Sequence, residues 1–470
     1  MGLAAPAHAA AERIASPQGT GSACTLTQPC SLPVAVGGAR PGDTVLLLSG
    51  AYGRQELAGP GGTSSARIVV GPMDGASPVL GTIRSAVPYV DWRGIAVQGS
   101  FLLNAGSDGS TFRNMRVSGG GLFVRAKNIV VEDSLFAGGS SVDGIQVGRA
   151  SGVLIQRNIV RDYDQTIDNG LHADCLQIFD SSHVTVRANS LSNCHNAGII
   201  ISPGSGAGIT DLLIESNFIQ GCVVRSERCV GGSAIDLRES SARGVVARNN
   251  TIVDGATRIP ASAGVVFDRN IVSYLADCGS RLTNSVVMDW NKKLCAQPSV
   301  LSGSGNRVAQ VAFVDRAAGD LHLGEVAGAR ITPTGGTAAA TDRDGHAVDP
   351  TIAGADTPRD GDLPPPGTVP SPTPPTTPPT GPTPGEPPAG GASCSVWDAA
   401  SKFLATLPAD DVASLELTDD AGRSLAVVTG TLSDWNVDVV GQRSGTVSGT
   451  LTAYDVDRRA LGNIPVTLCL

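Results

Sequence analysis

Between residues 129 and 272 apolar and polar positions alternate in short runs that close on an asparagine followed by apolar residues. VLIQRNIV (153–160), VTVRANSL (184–191), LLIESNFI (212–219), VVARNNTI (245–252) and VVFDRNIV (265–272) superpose, and IVVEDSLF (129–136) is a weaker copy. A period of two over such short runs predicts strands with one buried face. The asparagines at 158, 189, 217, 250 and 270 are spaced by 31, 28, 33 and 20 residues. A minimal turn of a parallel β-coil takes ~20 residues, so the copies predict successive coils of one solenoid, the longer ones carrying loops. A second run precedes four of the copies: DGIQVG (143–148), DCLQIF (174–179), AGIIIS (197–202) and SAIDLR (233–238). Two strands per coil are therefore expected. Ile145, Val147, Leu176, Ile178, Ile199, Ile201, Ile235 and Leu237 are expected inward, and Gln146, Gln177, Ile200 and Asp236 form an outward column.

An asparagine recurring at one bend can bond the asparagine stacked above it and tolerate the left-handed conformation a corner needs. Asn158, Asn189, Asn217, Asn250 and Asn270 are therefore expected to be a structural ladder without a catalytic role. Composition agrees with this architecture. The 470 residues include 59 Gly and only 16% charged residues, which excludes a charge-rich helical bundle. The net charge of −9 argues against a nucleic-acid partner held by bulk positive charge. Ten cysteines fall into five local pairs, Cys24 with Cys30, Cys175 with Cys194, Cys222 with Cys229, Cys278 with Cys295 and Cys394 with Cys469, without zinc-type spacing. An even count in this pattern predicts disulfides and an oxidising compartment, although sequence does not fix connectivity. Residues 1–11, with Ala7-His8-Ala9, read as the end of a secretory leader. The β-coil domain is assigned to 12–356. A Pro/Thr-rich spacer occupies 357–392, and a small β-rich, sandwich-like module that opens on the helix-like VWDAASKFLATL fills 393–470. No apolar run reaches the ~18 residues of a membrane span, and the expected location is extracellular, periplasmic or at the cell surface, as a monomer.

Three separated segments carry a family resemblance. ASPQGTGSACTLTQPCSLPVAVGGARPGDTVLLLSGAY (15–52), the repeated coils, and GDLHL (319–323) followed by TDRDG (341–345) together resemble the right-handed parallel β-helix, pectate-lyase-like superfamily of secreted proteins. The resemblance implies an all-β solenoid over roughly residues 20–350, with a short helix covering its first turn before PGDTV. It covers lyases, hydrolases, epimerases and adhesins, so the fold does not select an activity. The paired-aspartate and Gly-His-Gly signatures of polygalacturonase-type hydrolases, the Arg-x-Pro-x-x-Arg of common pectate lyases and the Asp-Pro-His of mannuronan epimerases are not found.

The chemistry concentrates in RDYDQTIDNGLHADCLQ (161–177) and its neighbours. If DGIQ stacks on DCLQ in register, Asp143 lies over Asp174 and Gln146 over Gln177, about 4.8 Å apart. Two carboxylates so placed must share a proton, bind a cation or pair with a base such as His172 or Arg238. A shared proton suits glycoside hydrolysis. A Ca²⁺ ion held by Asp143, Asp174 and Asp164 or Asp168 suits a lyase. In β-elimination, His172 would move the proton with Asp174 orienting it, and Arg238 or Ca²⁺ would neutralise the uronate carboxylate. Gln146, Gln177 and Asp236 would bind sugar hydroxyls, and Tyr163 would stack on a ring or donate a proton. Plainer readings stand beside these: corner caps for Asp143 and Asp174, a solvated ladder for the glutamines, an exposed ion pair for Asp236 and Arg238, and a structural turn for His195. The expectation is a polysaccharide lyase acting on a uronic-acid glycan. The alternatives are a hydrolase on the same scaffold or a non-enzymatic glycan-binding protein.

Overall fold

A computed structural model describes residues 10–165, 172–276 with breaks at 203, 224–228, 230–231, 238–241 and 260–264, then 282–288, 304–359, and the strands of a C-terminal sheet between 414 and 469. In the first unit the chain winds as a parallel β-solenoid. Each full coil lays down three strands rather than the two expected, because the apolar close after each asparagine is a strand of its own. One coil, for example, runs Ile145–Gly148, Ser151–Gln156, Ile159–Tyr163, and the next runs Asp174–Phe179, Ser182–Arg187, Ser190–Cys194. Each strand pairs in parallel with its counterpart one coil on, as in Val153↔Val184 and Val184↔Leu212. The inward residues named from the alternation, Ile145, Val147, Leu176, Ile178, Ile199, Ile201, Ile235 and Leu237, are all buried. Each such side chain removed from water contributes roughly 1.5–3 kcal/mol. Trp92, Phe101 and Phe112 fill earlier coils edge to face.

The asparagine ladder is present and fully buried. Asn158 donates from Nδ2 and from its backbone N–H to Oδ1 of Asn189, at 3.0 and 2.9 Å. Asn189, Asn217 and Asn250 repeat the pattern toward Asn217, Asn250 and Asn270. Serine holds the place in two coils, since Asn158 Oδ1 accepts from Ser134 N and Asn270 N donates to Ser285 Oγ. The left-handed residue is not the asparagine, as the bend chemistry suggests, but the one before it: Arg157, Ala188, Ser216, Asn249 and Arg269 have φ between 48° and 56°. The asparagine amide compensates the bend by bonding backbone of the coil below, as in Asn217 Nδ2 to Val186 O at 2.9 Å.

A short helix, Leu32–Gly37, with Leu32, Ala35 and Val36 buried, packs at the first coils, and Cys24 is bonded to Cys30 beside it. Cys175–Cys194 and Cys222–Cys229 are also disulfides. The other two expected pairs lie outside the described residues. After the last coils the chain doubles back along the outside of the asparagine corner. Thr334 N donates to Asn284 Oδ1, Ala339 N to Asn249 Oδ1, Ser216 Oγ to Thr341 O, and Arg343 to Ser190 Oγ. This strap thus runs back across the coils from 284 to 190. The C-terminal strands form a separate antiparallel sheet in the order Asn436–Val439, Ser424–Thr429, Ser414–Asp419, Thr446–Tyr454, Ala460–Cys469. The helix-like segment expected before it lies outside the described residues. Among the described residues no helix is long and apolar enough to cross a membrane.

Candidate functional site

The strands Ile145–Gly148 and Asp174–Phe179 are neighbours in the register the repeat predicts, Ile145↔Leu176 and Gln146↔Gln177. Asp143 and Asp174 sit just before and at the start of these strands, and their carboxylates converge. Asp174 N donates to Asp143 Oδ1 at 3.0 Å, so one carboxylate caps the strand that carries the other. His172 closes the cluster: its Nδ1 stands 2.6 Å from Asp174 Oδ2 and 3.5 Å from Asp143 Oδ1. Asn196 Nδ2 holds the remaining oxygen of Asp174 at 2.8 Å. The two carboxylates are buried, at 4% and 0% exposure, whereas the imidazole is 39% exposed. Nδ1 faces the carboxylates and is itself buried, which leaves Nε2 as the nitrogen within reach of a ligand.

The electrostatics follow from that burial. Hydrogen bonding to Asp143 and then to Asp174 raises the His172 pKa to about 10, against an opposing effect of desolvation. Burial pushes the Asp174 carboxyl above the ordinary range, and the charge of Asp143 adds to the push while His172 opposes it. At neutral pH the cluster therefore holds an imidazolium.

The outward column is continuous with this cluster. Gln146 Nε2 donates to Asp143 Oδ2 at 2.8 Å and to Gln177 Oε1 at 2.7 Å, and Gln177 Nε2 reaches Ser202 Oγ at 3.3 Å. Ile200 and Asp236 continue the column, as the alternation requires. Asp236 is buried, and among the described residues Arg258 in the next coil pairs with it at 3.8 Å. An outward hydroxyl-binding place for it is thereby corrected. Tyr163 needs a further correction. It is fully buried, its hydroxyl donates to Gly120 O at 2.8 Å, and burial pushes the phenol well above its usual range, so no sugar can stack on it.

The expected Ca²⁺ site meets a chemical difficulty. Around Asp143 the donor atoms that converge are those of Asp143, His172 and Asp174, and Asp164 is not brought into this group. Ca²⁺ takes six to eight oxygens. Two carboxylates with an imidazole nitrogen beside both do not make such a set. Asp168 and Arg238 lie outside the described residues.

Alternation alone did not single out Arg125. Phe123 pairs in register with Gln146, which places Arg125, two residues on, on the same outward face. Its guanidinium donates to the side-chain oxygen of Gln146 and, at 3.3 Å, to Gln146 O. It lies 5.8 Å from the ring centre of Phe123 and 5.3 Å from that of Phe179. A Cβ on Gly148 would stand 2.2 Å from the Phe179 ring, so the missing side chain gives that ring its place over the strand.

Among known proteins, the family model described as right handed beta helix region matches residues 93–270. No curated protein matches the sequence. Similar solved structures include pectate lyase Pel9A, at 14% identity and a TM-score of 0.43, covering 74% of this chain and 90% of that one. An alginate lyase from Paenibacillus sp. str. FPU-7 shares 13% identity with a TM-score of 0.30, covering 64% of this chain and 94% of that one. The family 28 exopolygalacturonase of Yersinia enterocolitica shares 14% with a TM-score of 0.28, covering 60% and 67%. Likeness at this level concerns the coiled architecture alone.

Proposed function

We propose, from the premise that this chain is a right-handed parallel β-helix protein, that it is a secreted polysaccharide lyase cleaving a uronic-acid glycan by β-elimination. One observation supports this most: the half-exposed His172 imidazole is backed by two buried carboxylates. In the reaction a base takes the proton alpha to the uronate carboxylate, the C4–O bond breaks, and the leaving oxygen takes a proton from water. His172 Nε2 is the base. Asp143 and Asp174 do not touch substrate. They orient the ring through Nδ1 and raise its proton affinity. The disulfides fit secretion.

A base with a pKa near 10 is mostly occupied at neutral pH. kcat/KM is therefore expected to climb about tenfold per pH unit through the neutral range and to level off as pH approaches 10. A hydrolase is less well supported, because it needs both carboxyl groups at the glycosidic bond, and here both are buried. Incubation with a panel of uronate polymers, following ultraviolet absorbance of the unsaturated product with and without chelator, tests the reading. A chelator-insensitive rise that is lost in His172→Gln is expected. Reducing ends without absorbance would establish hydrolysis instead, and binding with neither signal would establish an adhesin.

A further inference from the structure

β-Elimination requires a positive group against the uronate carboxylate, and the imidazolium that would serve is the same group that must give up its proton. We infer that Arg125 is the carboxylate-binding residue of this site, with Phe123 and Phe179 receiving the apolar faces of an acidic sugar. The inference rests on the lyase reading for its chemistry but makes its own claim, recognition of a negatively charged glycan at a named residue.

Three observations carry it. First, Arg125 and His172 stand at the two ends of one run of polar contacts. Arg125 donates to the Gln146 side-chain oxygen, Gln146 Nε2 donates to Asp143 Oδ2, and the other oxygen of Asp143 is 3.5 Å from His172 Nδ1. Second, the guanidinium is set between two half-buried phenyl rings, on the outward face. Rings hold the planar fork in one orientation, and sugars pack their C–H faces on such rings. Third, the Gln146 side-chain oxygen, one of the acceptors of the Arg125 guanidinium, is a neutral amide. A carboxylate offers two charged oxygens in the geometry of the guanidinium fork and replaces that amide favourably. Gln146 would remain bonded to Asp143 and Gln177 through Nε2. Further along the column Ile200 and Asp236 are buried, so the accessible part of this face is where Arg125 and Gln146 lie.

The test compares a short uronate oligosaccharide with its methyl ester, by calorimetry at low and high salt, on the full chain. The wild type is expected to bind the acid and not the ester, more weakly as salt rises. Arg125→Ala should lose about tenfold or more in affinity and most of the salt dependence. Arg125→Lys should keep part of both, and Phe179→Leu should weaken binding while leaving salt dependence in place. His172→Gln should lose elimination while still preferring the acid to the ester, which separates this claim from the lyase reading. Unchanged affinity in Arg125→Ala, or equal binding of acid and ester by the wild type, would overturn the inference while the lyase reading stands. Neither binding nor cleavage of any acidic glycan by the wild type would overturn both.

Discussion

His172 keeps its proton because two carboxylates that cannot reach water reach it instead. Removing one should lower its pKa. Asp174→Asn is expected to shift the rising limb of the pH–rate profile toward neutral pH and to lower the limiting rate through poorer orientation of the ring, as measured by kcat/KM between pH 6 and 11 on the proposed substrate class. The same pairing acts on stability. A histidine raised from 6.5 to about 10 stabilises the folded chain fully below pH 6.5 and stops doing so as pH passes 10. The DxxQ repeat made the meeting of Asp143 with Asp174 legible, because register in a parallel ladder follows from alternation. Tyr163 was not legible for an equally local reason. Asp162 has a φ of 61°, and one left-handed residue reverses the facing of the residues after it, so Val160 and Tyr163, three apart, both point inward.

At the scale of an element, the asparagine ladder is a column of amides in which each side chain serves its own coil and two others. Asn217 accepts from Asn189 and donates to Asn250, Val186 O and Glu215 O. Asn217→Ala would orphan several buried groups at once and is expected to cost roughly 3–5 kcal/mol of unfolding free energy, measured by urea titration. Asn217→Ser should cost only about 1–2 kcal/mol, since Ser134 and Ser285 hold the same place in other coils. The ladder was legible because the amide recurs at a fixed offset from its strand. The third strand of each coil was less so: Ile159–Tyr163 and Ser190–Cys194 are short, and a bend of two residues separates each from the strand before it. Arg125 escaped for a different cause. It lies just past Leu122–Val124, the strand paired one coil before the first DxxQ segment, where no sequence repeat marks the column, and only the paired register places it there.

Taken whole, the solenoid is a one-dimensional stack in which each coil mainly touches its neighbours, and such stacks lose their terminal units first. Here the strap of 331–356 returns from the last coils toward the middle. His322 fastens it, with Nδ1 on Asp320 and Nε2 2.8 Å from Asp344, and those bonds, led by the one to Asp344, raise its pKa to about 9. The stabilisation from this clasp is fully present below pH 6.5 and lost as pH rises through 9. His322→Gln is accordingly expected to lower the Tm at pH 6 and to match the wild type above pH 10, in paired thermal scans. The strap also changes how the molecule should yield under load. Pulled from the far end of the β-helix, an unbraced stack would peel like tape, one turn per small increment of force. With bonds that reach from Thr334 at Asn284 to Arg343 at Ser190, several turns are ganged together, and rupture should come as a single large event.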